Sequence, residues 1–393
     1  MDGPLSWPFL RLYILALFFF SANAILNVII PLKGHSEGAS NTIIGIIMGA
    51  YMITAMLFRP WAGQMIARFG AIKILRLILV INGAALVLYG FIGLEGYVFA
   101  RIIQGGCTAF FSMSLQIGIL DRLPEKDRAQ GISLYSLFSY IPGILGPLLA
   151  ISIWQFRDFD YFTITMIVIA VITGLFGYSA THNTKDRIDS NIESSLHGPI
   201  QVFAQLFKNP YLFQSGSIML LSSIIFGAVA TFIVLYVQYY EIGNAGIFLA
   251  IQAIAVVLSR YYLRKLIPSD GLWHRKFILI ALAMLMSSSM MLAVGWKVGA
   301  WLIYIAAVLI GVTQALIYPA LTTYLSFKFA LNEKNVLLGL FISTADLGVS
   351  LGAGFMGIVS DWLGYSGMYA MCVFIAGAAM LLSLKNIEKM EYQ

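Results

Sequence analysis

Leu12-Tyr-Ile-Leu-Ala-Leu-Phe-Phe-Phe-Ser-Ala-Asn-Ala-Ile-Leu-Asn-Val-Ile-Ile-Pro-Leu32 runs for twenty-one residues without a charge. About 20 apolar residues in helical conformation cross the hydrocarbon core of a bilayer, so the stretch predicts a membrane-spanning helix. Its two asparagines, Asn23 and Asn27, stand four apart and therefore share one helix face. Similar runs follow at Ile43–Trp61, Ile74–Gly93, Tyr161–Ala180 and Met368–Leu384, separated by short polar breaks. Twelve can be placed, at residues 10–32, 42–62, 74–94, 97–119, 131–153, 161–181, 211–238, 244–264, 276–296, 299–325, 335–359 and 365–384. Of the 393 residues, 60% are hydrophobic and 11% are Asp, Glu, Lys or Arg, and the mean hydropathy is +0.86. Soluble domains carry about 25% charged residues, so an ordinary water-soluble fold is excluded. No small-residue cleavage site follows the first run, which is expected to be retained as a span.

The formal charge of +6 comes from 24 Lys and Arg against 18 Asp and Glu. With the N-terminus in the cytoplasm, Lys33, Arg157 and Lys297 fall outside and Arg101 falls within a span. The other 20 of the 24 basic residues then lie at cytoplasmic loops and helix ends. Glu37, Glu95, Asp158, Asp160, Glu241 and Asp361 make the outer face net negative. This is the positive-inside bias, and it places both termini in the cytoplasm of a multi-pass cell-membrane protein. Basicity therefore reports orientation, and no nucleic-acid partner is expected. Cys107 and Cys372 imply no disulfide framework. His35, His182, His197 and His274 all fall in loops, which argues against a metal or haem site within the membrane. No glycine-rich phosphate loop with a lysine is present, so no nucleotide cofactor is expected.

The longest polar stretch, residues 182–209, divides the chain into an N-terminal bundle of six spans (1–181), a cytoplasmic central loop and a C-terminal bundle of six (210–393). The halves repeat weakly. Arg59, Gly63, Arg68 and Gly70 lie 201 positions before Arg260, Arg264, Ser269 and Gly271, so the first Arg and the last Gly keep register. Glu125-Lys126, Gly131 and Gly146 recur 208 positions later as Glu333-Lys334, Gly339 and Gly354. Parallel six-span halves related by a central axis are a transporter architecture, with a substrate site near the midplane. The expected fold is thus all-α and membrane-embedded, with twelve transmembrane helices in two six-helix bundles.

Between spans two and three stands Gly63-Gln-Met-Ile-Ala-Arg68-Phe-Gly70-Ala-Ile-Lys73, followed by Arg76. Together with the span count and central loop, this resembles the major facilitator superfamily, whose pattern here is Gly-x-x-x-Asp-Arg-x-Gly. The resemblance implies a cytoplasmic latch between the halves, gated by Arg59, Gly63, Arg68, Gly70 and Lys73. The family's Asp is Ala67 in this chain, which leaves the latch to Arg68, the helix ends and Asp121. The same basic residues also serve as topology determinants. Arg101-Ile-Ile-Gln104-Gly105 in span four is similar to the Arg-x-x-Gln-Gly pattern of proton-coupled members. Gly146-Pro147 in span five matches part of the antiporter pattern, although Pro142 and Ala150 replace flanking glycines. Small residues and proline there suit a hinge, and ordinary tight packing accounts for them equally.

Thr108 and Ser112 each fall within about 20° of Arg101 at 100° per residue, flanked by Gln104 and Gln116. A charge inside a span costs at least about 2.5 kcal/mol, so it normally faces a wet cavity and serves a purpose. The competing reading is an arginine snorkelling to the outer interface. Asp346 is the only acid near the centre of a span, and Ser343 and Ser350 share its face, so a hydrated cavity is expected there. Desolvation favours the protonated form of a carboxyl, as a proton carrier requires. The alternative is a permanent structural pairing. Asn23 and Asn27, Tyr135 and Ser139, and Gln314, Tyr318 and Thr322 each present neutral hydrogen-bonding groups along one face.

These residues predict a secondary exporter, not an enzyme, acting as a monomer in the lipid bilayer on a small-molecule substrate. Proton coupling would fall to Asp346 and Arg101. Substrate contacts would fall to Arg101, Gln104, Asn23, Asn27, Tyr135, Gln314 and Tyr318. The stretch Ser6-Trp-Pro-Phe-Leu through Leu32, with Arg59-Pro-Trp-Ala-Gly63, further resembles exporters of staphylopine-type opine metallophores. That resemblance implies a His-derived polycarboxylate chelator, released without metal, as cargo. A multidrug exporter using the 14% aromatic residues is the second expectation.

Overall fold

In the computed structural model, residues 3–156, 159–179, 206–263, 265–268, 270–329 and 334–384 are described; no strand occurs among them. The helices are α1 (Trp7–Ser36), α2 (Asn41–Phe69), α3 (Ala71–Leu88), α4 (Leu94–Arg122), α5 (Glu125–Gln155), α6 (Phe159–Ser179), α7 (Pro210–Tyr239), α8 (Ala245–Tyr262), α9 (Arg275–Val298) and α10 (Ala300–Lys328). A last helical stretch, Lys334–Leu384, is interrupted at Gly364, whose φ of 69° is left-handed backbone open to glycine at little steric cost. The break yields α11 (334–363) and α12 (365–384), so the twelve spans read from hydropathy are all present. Most of the central loop expected at 182–209 lies outside the described residues.

Span boundaries follow local chemistry. Asn209 caps α7 by accepting from the backbone N–H groups of Tyr211 and Leu212, with Pro210 in the first turn, where its missing N–H costs nothing. Asn244 caps α8 in the same way. The third run was expected to continue to residue 94, yet α3 ends at Leu88. Tyr89–Gly93 turns instead, because the Tyr89 side chain and carbonyl are both engaged by partners on α4. The internal repeat is visible in the backbone: Gly70, before α3, and Gly271, ahead of α9, both hold positive φ, at 86° and 73°.

Contacts divide the chain into two units, Met1–Lys33 with Ile53–Ser195, and Gly34–Met52 with Leu196–Gln393. Residues 41–52 of α2 thus pack in the second unit and the remainder of the helix in the first. In the first unit, Phe9, Leu12, Tyr13 and Phe19 of α1 meet Phe111, Leu115 and Ile119 of α4, and Phe19 stacks on Phe111 at 3.7 Å. In the second unit, α7 is the most enclosed helix and lies against α11 through glycines. A Cβ at Gly348 would sit 2.5 Å from Ser223 Cβ, and one at Gly352 would overlap the Ile224 carbonyl. Lipid tails are as apolar as leucine, so close backbone approach between small residues is what holds such helices together.

Candidate transport site

In the first unit, the Arg101 side chain is completely buried. Its two terminal amino groups donate to Asn23 Oδ1 at 2.7 Å and Asn27 Oδ1 at 2.9 Å. The i, i+4 spacing on α1 sets two amide oxygens one turn apart, a separation the planar guanidinium fork can bridge. The side chain therefore does not snorkel to an interface, and α1 fixes a positive charge inside the bundle. Gln104, one turn along α4, is turned another way: its Oε1 accepts from the Tyr89 hydroxyl at 2.7 Å. Tyr97 donates to the Tyr89 carbonyl at 3.0 Å, and Lys33 donates to the Tyr97 hydroxyl while its ammonium lies 3.7 Å from the Phe159 ring centroid. Sequence reading missed Tyr89, Tyr97 and Lys33, since tyrosines near span ends are ordinary.

A second polar cluster lies about 22 Å along α4, fifteen residues on at 1.5 Å each. There the Tyr135 hydroxyl is in hydrogen-bonding contact with Gln116 and Ser139, with Arg59 close enough to act electrostatically. The stripe predicted on α4 is therefore two stations rather than one. Between them Thr108 is buried, and Ser112 turns its hydroxyl onto its own helix at Ala109 O.

Among the predicted gating residues, Gly63 lies near Met113 and Arg68 stacks over Phe69 at 5.2 Å. Lys73 is exposed, while Arg76 lies over Tyr178. The Asp121 and Ala67 side chains lie outside the described residues. Gly146 lets α5 approach α1, since a Cβ there would stand 2.5 Å from that of Ala24; Pro142 and Pro147 lie inside a continuous α5.

In the second unit, Asp346 is 8% exposed on α11. Ser350, expected to face a hydrated cavity with it, instead donates to the Gly49 carbonyl of α2 at 2.9 Å. Ser343 bonds within its own helix, to Gly339 O. The α11 face that holds Asp346 and Ser350 continues through Ala353 and Gly357 to Asp361, and Gly45, Gly49 and Asn41 of α2 lie against it. Asp361 closes this seam. It accepts from the backbone N–H groups of Asn41 and Thr42, each at 2.9 Å, and from the Thr42 hydroxyl at 2.6 Å. Tyr365 adds a bond to Asn41 Oδ1 at 2.9 Å. Sequence reading had counted Asp361 only as an outer charge. On α10, Gln314 accepts from Gln252 of α8 at 3.4 Å, Tyr318 packs against the Phe341 ring, and Thr322 bonds back to Tyr318 O.

A family model described as Major Facilitator Superfamily matches residues 12–330. The chain belongs to this superfamily. It is 56% identical over 98% of its length to the staphylopine export protein of Staphylococcus aureus, 97% of which is covered. It is 23% identical to multidrug resistance protein 2 of Bacillus subtilis, with 88% of this chain and 87% of that protein covered. Among solved structures, a variant of the nucleoside transporter NupG matches with a TM-score of 0.77 at 14% identity, covering 95% of this chain and 98% of the other. An inward-facing, occupied bacterial homologue of the lysosomal transporter Spinster matches with a TM-score of 0.72 at 12% identity, covering 95% of each chain. These two likenesses concern the fold. The chain is a multi-pass membrane transporter of this superfamily.

Proposed function

We propose that this transporter exports a small anionic or zwitterionic metabolite, an opine metallophore of the staphylopine kind, in exchange for protons. The observation that carries the reading is 56% identity, sustained along 98% of the chain, to a staphylopine export protein. The Arg101 fork supports it: a buried guanidinium oriented by two neutral amides is a ready partner for a carboxylate. In this reading Arg101 holds a substrate carboxylate, while Gln116 and Tyr135 meet the substrate nearer the cytoplasm. Asp346 loads and releases the proton, and its place on the face that meets α2 links that step to the packing of α11. The protein works as a monomer in the plasma membrane with both termini cytoplasmic, and the proton gradient supplies the energy.

The test is metabolite analysis of the medium from metal-starved cells carrying wild-type protein, a deletion or Asp346→Asn. Loss of the secreted chelator in both altered strains, with the variant still inserted in the membrane, is expected. Normal secretion by the deletion strain overturns the substrate, and normal gradient-driven export by Asp346→Asn overturns the proton assignment. The likeness to multidrug resistance protein 2 supports a second reading, export of amphiphilic drugs. It predicts drug sensitivity in the deletion strain with chelator secretion intact.

A further inference from the structure

In the second unit, α8 and α10 come unusually close at one level. A Cβ on Gly311 of α10 would overlap the Gln252 carbonyl and stand 2.7 Å from Ala255 Cβ. One turn on, the two glutamine side chains meet, with Gln252 Nε2 donating to Gln314 Oε1 across 3.4 Å. This is a long bond, beyond the 2.7–3.2 Å range of well-formed N–H···O contacts. Gln252 Oε1 is buried and has no hydrogen-bond donor among the described residues. A buried acceptor left without a donor is costly, and native structures keep few of them without a reason.

A carboxamide has one acceptor oxygen and one two-proton donor nitrogen. When two carboxamides pair head to tail, one acceptor and one donor remain, whichever way each amide is turned. The conclusion therefore does not depend on which terminal atom is oxygen and which is nitrogen. Beyond the bond between them, the pair offers one donor and one acceptor and carries no charge.

We infer that Gln252 and Gln314 form a neutral two-point subsite for the substrate. It takes an uncharged planar group that carries both a donor and an acceptor, such as a neutral imidazole. Gln252 is the specificity-determining residue that sequence reading passed over. The inference rests on the metallophore reading and deepens it: the glutamine pair of the second unit selects an uncharged group that both donates and accepts. A site built to hydrogen-bond a group rejects an analogue lacking it far more strongly than an apolar pocket rejects an extra methylene.

The experiment uses full-length protein in proteoliposomes. Wild-type, Gln252→Met and Gln314→Met proteins are compared on staphylopine and on its analogue with the imidazole N–H methylated. Methionine keeps an unbranched chain of similar volume. In the wild type, methylation should raise KM about tenfold, the cost of one hydrogen bond, with little change in Vmax. In Gln252→Met, KM for staphylopine should rise by the same factor, and methylation should add nothing further. An equal methylation penalty in wild type and variant overturns the subsite. A second measurement needs no substrate: a functional orphan acceptor replaced by an apolar group leaves the melting temperature unchanged or higher, whereas interhelical glue lowers it. A clear drop in the melting temperature of Gln252→Met therefore also overturns the inference. If wild-type protein does not move staphylopine while Gln252→Met is as stable as wild type or more so, the metallophore reading fails and the functional glutamine stands.

Discussion

Asp361 joins α11 to the first turn of α2 through three hydrogen bonds, two to backbone N–H groups and one to a hydroxyl. Replacing it with alanine removes all three and also removes a negative charge from the positive end of the α2 dipole. Loss of a capping side chain costs about 0.5–2 kcal/mol, and an exposed charge at a helix N-terminus contributes about 0.3–1 kcal/mol. Asp361 is exposed, so screening holds the total near 1–2 kcal/mol, a factor of about 5–30 in the equilibrium between seam closed and seam open. Ser350 reports on the same seam because it is 6% exposed and bonded to the Gly49 carbonyl. With Cys107 and Cys372 changed to alanine, Ser350→Cys becomes the only thiol and can be labelled by a membrane-impermeant maleimide. Asp361→Ala should accelerate that labelling about 5- to 30-fold. Asp361→Asn, which keeps one acceptor oxygen, should fall between the two. Unchanged labelling in Asp361→Ala would mean that the remaining contacts alone hold the seam, and would refute the reasoning.

Arg101→Lys keeps the charge but cannot span Asn23 and Asn27 with a planar fork, so initial export rates should fall about tenfold, with expression intact; wild-type rates would remove the fork from the mechanism. Gly352→Leu forces a side chain onto the Ile224 carbonyl, and overpacking of this kind costs about 1–3 kcal/mol, read as a lower melting temperature in detergent; an unchanged melting temperature would mean that α7 and α11 are not in close contact there. His274 sits 2.8 Å from Asp270, and that hydrogen bond holds the Asp270 carboxyl below its ordinary value. A carboxylate depressed in this way keeps its contact at neutral pH and loses it only as the pH falls through its lowered pKa, so Asp270→Asn should leave the pH profile of transport near neutrality unshifted. A shifted profile would make Asp270 part of proton coupling.

Much of the fold was legible because each span must satisfy its own backbone within a helix of bilayer length. Hydropathy therefore located every membrane-spanning helix among the described residues, including the pair divided at Gly364. The end of α3 was misread because hydropathy does not register what Tyr89 bonds to. The site was legible only in part. Arg101 with Asn23 and Asn27 could be anticipated from the expense of a buried charge and from i, i+4 spacing. Ser350 was assigned to a cavity because angular position on one helix says which residues share a face, and nothing about which helix covers that face. Gln252 carried no local signal, since one amide in an apolar span is ordinary until its partner and its orphaned oxygen are seen.

Sequence by itself therefore determined that this chain lies in a membrane, how many times it crosses, and which few charged groups lie inside the spans. Those properties follow from the transfer of side chains and peptide groups between water and hydrocarbon, a cost summed along the chain with no reference to neighbours. Tertiary structure decided the pairings: Arg101 with two amides of α1, Gln252 with Gln314, and Asp361 with the first turn of α2. A hydrogen bond depends on distance and direction between groups up to 324 residues apart, which only the packing of the helices specifies.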